Sequence, residues 1–220
     1  MIDDPLPRPA ALNMAIDEAL LHTTPTPVLR FYCWNEPSVS FGYFGRFEEA
    51  RRCAASRTLV RRWTGGGIVF HGDDLTYSLI IPASDLLFAD APISIYQKVH
   101  CALRDALVSL KQHAILATEV NATAAVSDRG DNGHCFARPV CADIMANGRK
   151  IAGAAQRRTR WGLLQQGSIQ NIDYGRELAQ RFARELSPIR NGRSLGGHIL
   201  ERARKISEQK YADPAWVRMR

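Results

Sequence analysis

The sequence predicts an α+β domain in which helices pack on a mixed, largely antiparallel sheet. Segments with the alternation of β-strands follow one another through short turns, which is typical of hairpins. Helical segments lie between them without the strict alternation of βαβ units. A chain of 220 residues is long enough to bury one well-formed core. We therefore expect a single domain over residues 1–220, whose sheet is covered by helices on one side.

The elements of the first half are predicted from apolar spacing and turn residues. Residues 13–22 are predicted to form a helix with Asn13 as its N-cap, and Asp17 and Glu18 favour its positive N-terminal end. Pro82 ends a strand because proline cannot donate to a sheet ladder. Strand-like runs are predicted at 28–34, 38–44, 58–63, 67–70 and 75–82, with a short helix at 51–57.

The second half contains the most regular helix of the chain. Apolar residues at three- and four-residue spacing predict a helix over 94–112 with Ser94 as its cap. Residues 118–138 are polar and are predicted to form a long loop. Asn147-Gly148 lies between two extended runs and is a strong hairpin signal. A further strand is predicted at 162–170, and helices are predicted around Leu178, Phe182 and Leu186 and through Ile199, Ala203 and Ile206.

Net charge and apolar content limit the classes of partner. The net charge is +7, with basic residues dense at 157–160 and from Arg181 onward, so the surface attracts acidic partners. These arginines do not alternate with stacking aromatics, as a platform for single-stranded nucleic acid requires, and an acidic protein fits them equally well. No apolar run approaches the roughly 20 residues of a membrane span. The N-terminus is acidic before it becomes apolar, unlike a signal peptide, so we expect a cytoplasmic protein.

The cysteines are scattered and odd in number, which predicts free thiols and no disulfide framework. His134, Cys135 and Cys141 lie close in sequence, but no second Cys/His pair follows at zinc spacing, so we expect no metal site. The five cysteines are Cys33, Cys53, Cys101, Cys135 and Cys141.

The stretch RRWTGGGIVFHGDDLTYSLII (61–81) combines a bare backbone with many polar side chains. Gly65, Gly66 and Gly67 permit positive φ and leave no Cβ between the main chain and a ligand. The cluster lacks the Gly-Lys-Ser/Thr of a P-loop. It also enters a strand, whereas the dinucleotide fingerprint G-x-G-x-x-G enters a helix, so it matches neither nucleotide-binding motif. The two arginines before it offer forked donors for carboxylate or phosphate. From these residues alone, a ligand site and a plain wide turn are both open interpretations.

This stretch resembles the signature of the lipoate–protein ligase and octanoyltransferase superfamily, which is related to biotin protein ligases. Four further blocks in the family's order extend the resemblance over most of the chain: ALNMAIDEALL, PVLRFYCWNEPSVSFGYF, ADIMANGRKIAGAAQRR…GLLQQGSI and KYADPAWVRMR. The biotin-ligase motif GRGRxGR is not found in the sequence, which argues against biotin. The resemblance implies a catalytic fold like that of biotin ligases and class II aminoacyl-tRNA synthetases.

Lys150 follows the predicted hairpin turn on a strand of small and apolar residues. On a pleated strand Lys150, Ala152 and Ala154 share one face, which leaves space for a ligand beside the lysine. A solvated lysine on an edge strand is the alternative interpretation. By the resemblance, Lys150 corresponds to the lysine that contacts the acyl carbonyl and, in ligases, the adenylate phosphate. Such an ammonium stabilises developing negative charge, or becomes a base if partial desolvation lowers its pKa.

The resemblance also implies how the acyl group is activated. One branch of the superfamily uses ATP to form an acyl-adenylate, and another takes an acyl thioester from acyl carrier protein through an enzyme cysteine. HCFARPVCADIMANGRKIAG resembles the CF-x-x-P stretch of one octanoyltransferase branch, whose catalytic cysteine falls at Cys135. A thiolate near Lys150 and His134 would be reactive. Cys141 is the lesser candidate, and a structural thiol is the alternative interpretation of Cys135.

Three features depart from the octanoyltransferase pattern. The cluster is Gly-Gly-Gly, as in many ligases, where this branch tends toward Gly-Gly-Arg. Gln166 stands where the family usually has histidine before Gly167-Ser168. The chain is also shorter than typical members, and by the resemblance we expect a single catalytic domain over residues 1–220 without the ligases' accessory C-terminal domain, which some ligases carry as a separate polypeptide.

We therefore expect an acyltransferase that moves octanoyl or lipoyl from acyl carrier protein through Cys135 to a lysine of acidic lipoyl domains, with assistance from Lys150. The expected acceptors are lipoyl domains of 2-oxoacid dehydrogenases or glycine cleavage H protein, and we expect no cofactor, nucleic acid or membrane. One alternative is a lipoate–protein ligase that uses ATP and Mg²⁺, with Cys135 merely structural. Another is a non-catalytic basic module that binds nucleic acid or a carrier protein. The residues expected at the acyl slot are Arg61, Gly65, Gly66, Gly67, Val69, His71, Tyr77, Gly153 and Ala154.

Overall fold

The computed structural model describes residues 1–118, 139–173, 175, 177–188 and 191–219. Its strands are β1 (Ile2–Arg8), β2 (Val28–Trp34), β3 (Ser38–Phe41), β4 (Thr58–Arg61), β5 (Val69–His71), β6 (Leu75–Pro82), β7 (Ile115–Leu116), β8 (Ile144–Ala146), β9 (Arg149–Thr159) and β10 (Gly162–Ile169). Its α-helices are α1 (Ala10–Thr23), α2 (Phe47–Ala54), α3 (Pro92–Ser109), α4 (Leu178–Leu186), α5 (Gly197–Ile206) and α6 (Pro214–Arg218). A 3₁₀ turn at Leu86–Ala89 and a π-helical turn at Ser207–Tyr211 complete the described elements.

The strands form two sheets, and the prediction of an α+β fold with a largely antiparallel sheet is confirmed. The larger sheet has the order β1-β2-β6-β10-β9-β8-β7, and the smaller has the order β4-β3-β5. In the larger sheet β1 runs parallel to β2, and the other neighbouring pairs are antiparallel. In the smaller sheet β3 pairs parallel with β4 and antiparallel with β5. None of the described helices is both long and apolar enough to cross a bilayer.

Helices cover both faces of the larger sheet, so the expectation that one face is covered is wrong. One core cluster joins the sheet to α3 and α4, and a second joins its other face to α1 and α5. Strand β6 contributes Leu79 and Ile81 to the first cluster and Ile80 to the second. Because a strand that is buried on both faces is apolar on both, its sequence loses the alternation that marks a half-solvated sheet.

Two local predictions are corrected at the N-terminal end of the chain. β1 was not expected, because its sequence IDDPLPR contains two prolines; proline is tolerated there because β1 is an edge strand of the larger sheet. Helix α1 begins at Ala10 after Pro9, and Asn13 is not its cap. The Asn13 side chain is buried and donates from Nδ2 to the carbonyl of Cys33 at 3.0 Å. Tertiary contacts with β2 therefore decide the role of Asn13.

Helix α3 confirms the predicted apolar face but has a different start. It begins at Pro92, with Ala91 at the N-cap position, so Ser94 lies inside the first turn. Proline at the first helical position is favourable because the amide hydrogen that it lacks would have had no helical partner.

The predicted hairpin at Asn147-Gly148 is confirmed and carries an irregularity that matters for the site. Both residues have positive φ, 48° and 73°, as a type I′ turn requires. Met145 pairs with Lys150 while Ile144 pairs with Ala152, so the register shifts within β9. A β-bulge of this kind redirects the side chains on one side of it.

Two rows of residues cross the centre of the larger sheet on the face that α1 covers. One row joins Thr76, Ser168 and Gly153, and the other joins Ser78, Gln166 and Ala155. Asp17 of α1 receives hydrogen bonds from Ser78 and Gln166 at 2.7 and 2.8 Å. This polar face of the larger sheet is the floor of the candidate site.

Candidate functional site

A pocket lies between the polar face of the larger sheet and the smaller sheet. Its cavity volume is about 30 Å³, so it is a narrow slot in this structure. Residues from α1, from both sheets and from the segment after β4 line it. They are Met14, Tyr32, Trp34, Ser40, Arg62, Val69, His71, Thr76, Gly153, Ala154, Ala155, Gln166, Gly167 and Ser168.

The glycine cluster packs against β9 beside the slot, but the expectation that Gly65, Gly66 and Gly67 wall the slot is corrected, because none of them is among the residues that line it. Gly66 has φ of 84°, and a Cβ built on it would lie 3.2 Å from the Cβ of Ala155. Gly42 supports the cluster from behind, since a Cβ there would lie 2.7 Å from the carbonyl oxygen of Gly65. Gly66 thus lets the cluster pass close to β9, and Gly42 lets the backbone after β3 pass close to the cluster. Only glycine allows such close approaches.

The two arginines before the glycine cluster make different contacts. The expectation that Arg61 walls the slot is corrected. The Arg61 guanidinium is buried away from the slot and donates to carbonyl oxygens of residues 43, 45, 216 and 217. Arg62 is the arginine at the slot: its Nη2 donates to the carbonyls of Gly65 and Gly67 at 3.1 and 2.8 Å. Consecutive strand residues point to opposite sides, so one arginine of the pair had to point away.

Lys150 is buried over Gly153, at the pocket wall formed by β9. A Cβ built on Gly153 would lie 2.6 Å from Lys150 Nζ, so this glycine makes room for the ammonium. The residue beneath the lysine is therefore Gly153; the expected face shared with Ala152 and Ala154 is not observed. The register shift in β9 is the physical reason, because it breaks simple alternation next to Lys150.

Asp143 is the charge partner of Lys150. Its Oδ2 lies 2.7 Å from Lys150 Nζ and accepts a hydrogen bond from the Val140 amide at 2.7 Å. The Tyr96 hydroxyl donates to the other oxygen of Asp143 and accepts from the Ala154 amide at 3.1 Å. Burial raises the pKa of Tyr96 strongly, and the Asp143 charge adds to this, so the phenol keeps its proton. The ammonium is thus held by a carboxylate with several fixed partners.

Gly153 and Ala155 place the lysine and the glycine cluster on the same side of β9. They are two residues apart on one strand and share a face. Lys150 lies over the first, and Gly66 contacts the second. Two slot residues of one strand, Gly153 and Ala155, are therefore in contact with the Lys150 ammonium and with the glycine cluster respectively.

The remaining predicted slot residues separate into two groups. Val69, His71, Gly153 and Ala154 line the pocket. Tyr77 does not, because it points to the opposite face of the sheet, where its ring lies 5.2 Å from that of Phe182. The alternation of side chains along β6 places Tyr77 on one face of the sheet, but it does not tell which of the two faces carries the site.

Gln166 ties three parts of the site together. Its Nε2 donates to Asp17 of α1 at 2.8 Å, and its Oε1 accepts from Thr64 Oγ1 at 2.8 Å, just before the glycine cluster. Its side chain is buried, so both hydrogen bonds are shielded from water. At this position, where the resembled family usually has histidine, an amide can donate to Asp17 of α1 and accept from Thr64 at once.

The predicted nucleophile Cys135 and its neighbour His134 lie outside the described residues. Cys141, the lesser candidate, is described and is half-buried as a free thiol.

Sequence reasoning missed several polar residues at the site. Asp143, Ser40 and Asp74 were not among the residues predicted at the slot. An acidic residue shortly before a hairpin lysine is a usable signal for Asp143, because a lysine buried on a strand needs a counter-charge. Ser40 carries no signal of its own, because its role depends on strand pairing.

Comparisons with known proteins agree with this architecture. The model of the family described as lipoyl protein ligase A/B catalytic domain matches residues 9–194. A protein named octanoyltransferase LipM from Oceanobacillus iheyensis is 38% identical over 180 residues, which cover 74% of this chain and 60% of the relative. The protein of the same name from Staphylococcus aureus is 36% identical over 173 residues, 73% of this chain and 62% of the relative. The chain thus spans about three fifths of the length of these curated relatives.

Solved structures resemble the fold over nearly the whole chain. The T. acidophilum protein Ta0514 with bound lipoic acid has a TM-score of 0.76 and 23% identity, and the match covers 100% of this chain and 98% of that one. A lipoate-protein ligase A bound with ATP has a TM-score of 0.76 and 22% identity, with 99% and 97% covered. At these identities the likeness concerns the fold. Since the family model covers all but the two ends of the sequence, the chain belongs to the lipoyl protein ligase A/B catalytic domain family.

Proposed function

We propose that this chain is an acyltransferase of protein lipoylation, which moves an octanoyl or lipoyl group from an acyl-carrier thioester to a lysine of a lipoyl domain. The observation that carries the proposal is the position of Lys150, buried over Gly153 of the slot wall, on the side of β9 where the glycine cluster packs against Ala155. Relatives named octanoyltransferase, at 35 to 38% identity, support the thioester route.

The transfer consists of two exchanges at the acyl carbonyl. The Cys135 thiolate attacks the carbonyl of the carrier thioester, and the carrier thiol leaves after it takes up a proton. The neutral amine of the acceptor lysine then attacks the acyl-cysteine, an amide forms, and the amine's proton returns to the Cys135 thiolate. Neither step needs ATP, because a thioester is already activated toward nucleophiles.

Lys150 has an electrostatic task in both steps. Each attack places negative charge on the carbonyl oxygen, and a fixed ammonium in a dry site stabilises that charge. Asp143 and Gly153 hold the ammonium in place at no cost of reorganisation during the reaction. This task differs from that of a base, for which the lysine would have to give up its proton.

The slot is narrow, with a cavity volume of about 30 Å³, and we expect it to widen when an eight-carbon acyl chain binds. The glycine cluster is the part that we expect to move. Arg62 fixes it through the carbonyls of Gly65 and Gly67, and Gly66 rests on Ala155. A shift of the cluster away from β9 would open space beside Gly153 and Ala155.

The proposed partners, acyl carrier protein and lipoyl domain, are acidic in the resembled family. Arg157 follows Ala155 on the same face of β9, and its guanidinium lies 4.8 Å from the ring of Tyr43 and 5.4 Å from that of Trp63. Arg158 and Arg160 follow at the end of the same strand. The chain's net charge of +7 favours such partners at long range.

A lipoate–protein ligase that uses ATP and Mg²⁺ is the second candidate. The fold likeness to a lipoate-protein ligase A bound with ATP and the Gly-Gly-Gly cluster favour it. In that function Lys150 would contact the adenylate phosphate, and Cys135 would be structural.

Two reaction mixtures separate the candidates. The pure protein is incubated with apo lipoyl domain and either octanoyl-carrier thioester without ATP, or free lipoate with ATP and Mg²⁺. Modification of the domain is followed by intact mass. We expect product from the thioester alone, and we expect Cys135→Ala to abolish it while Cys141→Ala, the matched thiol control, keeps it.

Product that appears with ATP alone and is indifferent to Cys135→Ala would favour the ligase. If neither mixture gives product and the protein binds nucleic acid in a salt-sensitive way, both enzymatic assignments are wrong and the basic binding module is favoured.

A further inference from the structure

Three side chains at the slot, Ser40, His71 and Asp74, are joined by hydrogen bonds in that order. Strands β3 and β5 pair Ser38 with His71 and Ser40 with Val69, so Ser40 and His71 are diagonal neighbours on one face. Ser40 Oγ lies 2.6 Å from His71 Nε2. Both residues line the slot. A hydroxyl in contact with an imidazole at a ligand pocket is the first element of a nucleophilic site.

The turn between β5 and β6 supplies the third member. Asp74 Oδ2 lies 2.8 Å from His71 Nδ1, and Asp74 Oδ1 accepts from the Gly72 amide at 3.2 Å. Thr76 and Ser168 donate to Oδ2 at 2.8 and 2.6 Å. Burial by itself raises the pKa of Asp74, but the His71 charge and these hydrogen bonds outweigh it and lower the pKa. Asp74 is therefore an ionised acceptor.

The donors and acceptors fix where the protons lie when the imidazole is neutral. An ionised Asp74 accepts, so His71 carries its hydrogen on Nδ1 and presents a lone pair at Nε2. Ser40 then donates its hydroxyl hydrogen to Nε2. Arg62 can only donate, and its Nη1 lies 2.6 Å from Ser40 Oγ. The hydroxyl thus faces a base on one side and a cation on the other, which favours loss of its proton.

Trp34 holds the imidazole in the plane that this arrangement needs. Its ring stacks on His71 with centroids 3.9 Å apart and planes 19° from parallel. Its Nε1 donates to Thr76 Oγ1 at 2.8 Å, so the indole is itself fixed. A base with a fixed orientation and a carboxylate behind it is the arrangement by which serine nucleophiles are activated.

The three residues lie beside the acyl slot. Asp74 contacts Ser168 and Thr76, which form one row with Gly153 across the sheet, and Lys150 lies over that glycine. We propose that Ser40, His71 and Asp74 form a second nucleophilic site, which hydrolyses acyl thioesters of the kind that the proposed function supplies. The proposal rests on that function only for the identity of the acyl chain.

The hydrolysis balances with water as the second reactant. Ser40 Oγ attacks the thioester carbonyl, its proton passes to His71 Nε2, and the departing thiolate takes that proton. An acyl ester of Ser40 is left. Water then gives a proton to His71 and attacks the ester, the carboxylic acid leaves, and Ser40 regains its hydrogen. Ser40 is the nucleophile and His71 the base, while Asp74 acts through His71 as a positioning residue.

Hydrolysis is measured in the Cys135→Ala background, where transfer through the predicted cysteine is blocked. The substrate is octanoyl-N-acetylcysteamine, a small thioester without a carrier, and the readout is release of the thiol. We expect Cys135→Ala to hydrolyse it, and we expect Ser40→Ala in that background to lower the rate by about 100-fold or more. Ser38→Ala is the matched control, since Ser38 is equally buried on β3 and donates to the Glu36 carbonyl. It should leave the rate unchanged.

A second measurement labels the unmodified protein, so its main result does not depend on the folding of a variant. The unmodified protein is treated with an alkyl fluorophosphonate, which labels activated serines, and digested with trypsin. The peptide between Arg30 and Arg46 contains both Ser38 and Ser40. We expect the label on Ser40, and none after Asp74→Asn.

Two results overturn the proposal. One is an unlabelled Ser40, and the other is hydrolysis that persists in a Ser40→Ala variant whose circular dichroism spectrum shows that it is folded. If transfer to the lipoyl domain fails while Ser40 is labelled and hydrolysis occurs, the proposed function is wrong and this site stands. If transfer succeeds and Ser40 is inert, the proposed function stands and the second nucleophilic site is wrong. The three residues are then a structural network.

Discussion

Lys150 Nζ lies 2.7 Å from Asp143 Oδ2, and both side chains are almost completely buried. A buried ion pair is retained at a substantial desolvation cost, which hydrogen bonds from Val140 and Tyr96 to the carboxylate help to offset. The pair lies directly beside Gly153 in the pocket wall. The stability and the activity of this protein should therefore both depend on it.

Replacement of Asp143 by asparagine keeps the shape of the side chain and removes the charge. We expect Asp143→Asn to lower the free energy of unfolding by about 3–5 kcal/mol, because it leaves the buried ammonium without its counter-charge. Urea denaturation at pH 7 measures this. Asp105→Asn is the control, since Asp105 is half-exposed and pairs with Arg104 on α3. Equal stability of the two variants would contradict the importance of the buried pair.

A methyl group at Gly153 tests the position of the ammonium. The added Cβ would lie 2.6 Å from Lys150 Nζ and must displace it. Because a displacement of about 1 Å costs roughly 100-fold in rate, we expect Gly153→Ala to lower kcat for the proposed transfer by about that factor. Gly197→Ala is the control, because a Cβ there meets no atom within 4 Å. Unchanged kcat in Gly153→Ala would mean that Lys150 does not act at the carbonyl.

The hydrogen bond between Thr64 and Gln166 should hold the glycine cluster in place. Thr64→Val removes the donor to Gln166 Oε1 and leaves a buried acceptor unpaired, which costs about 1–3 kcal/mol. We also expect a raised KM for the acyl thioester, since the cluster then has more than one position. Thr23→Val removes only a bond to Ala19 within α1 and serves as the control. A KM that does not change would show that the cluster is held by other contacts.

His100 makes stability depend on pH. Burial lowers its pKa to about 4, although its bond to the Ala142 carbonyl and the Asp143 charge act in the other direction. Between pH 4 and the ordinary value of 6.5, the unfolded chain binds a proton that folded His100 does not. Stability is therefore complete above pH 6.5 and falls as the pH is lowered, by up to about 3 kcal/mol for this group.

Urea denaturation at pH 7.5 and pH 4.5 measures this loss. His100→Gln should reduce the difference between the two pH values, whereas His113→Gln should not, because His113 is exposed. A difference that is the same in all three proteins would assign the pH dependence to carboxylates alone.

Much of the fold followed from local patterns in the sequence. The apolar spacing over 94–112 and the Asn147-Gly148 turn correspond to α3 and to the β8–β9 hairpin. Strand β6 and the strand that becomes β10 were also placed correctly. These signals are local, because they depend on periodicity and on the φ values that particular residues allow.

The errors arose where distant contacts decide. Asn13 looks like a cap but hydrogen-bonds to β2, and the prolines of β1 are tolerated because that strand lies at an edge. Tyr77 and Arg61 looked suited to a ligand, but both point away from the slot. Their directions depend on which face of each sheet meets α1.

The sequence by itself determined most helices and strands, the glycine cluster and the family resemblance that singles out Lys150. Each of these depends on local spacing or on a short motif. The tertiary structure alone decided that Asp143 faces Lys150 and that Ser40 faces His71. Those partners lie on different strands or turns, and their contacts depend on strand register and on one bulge in β9. Register is fixed by the packing of whole sheets, which no short segment of the chain specifies.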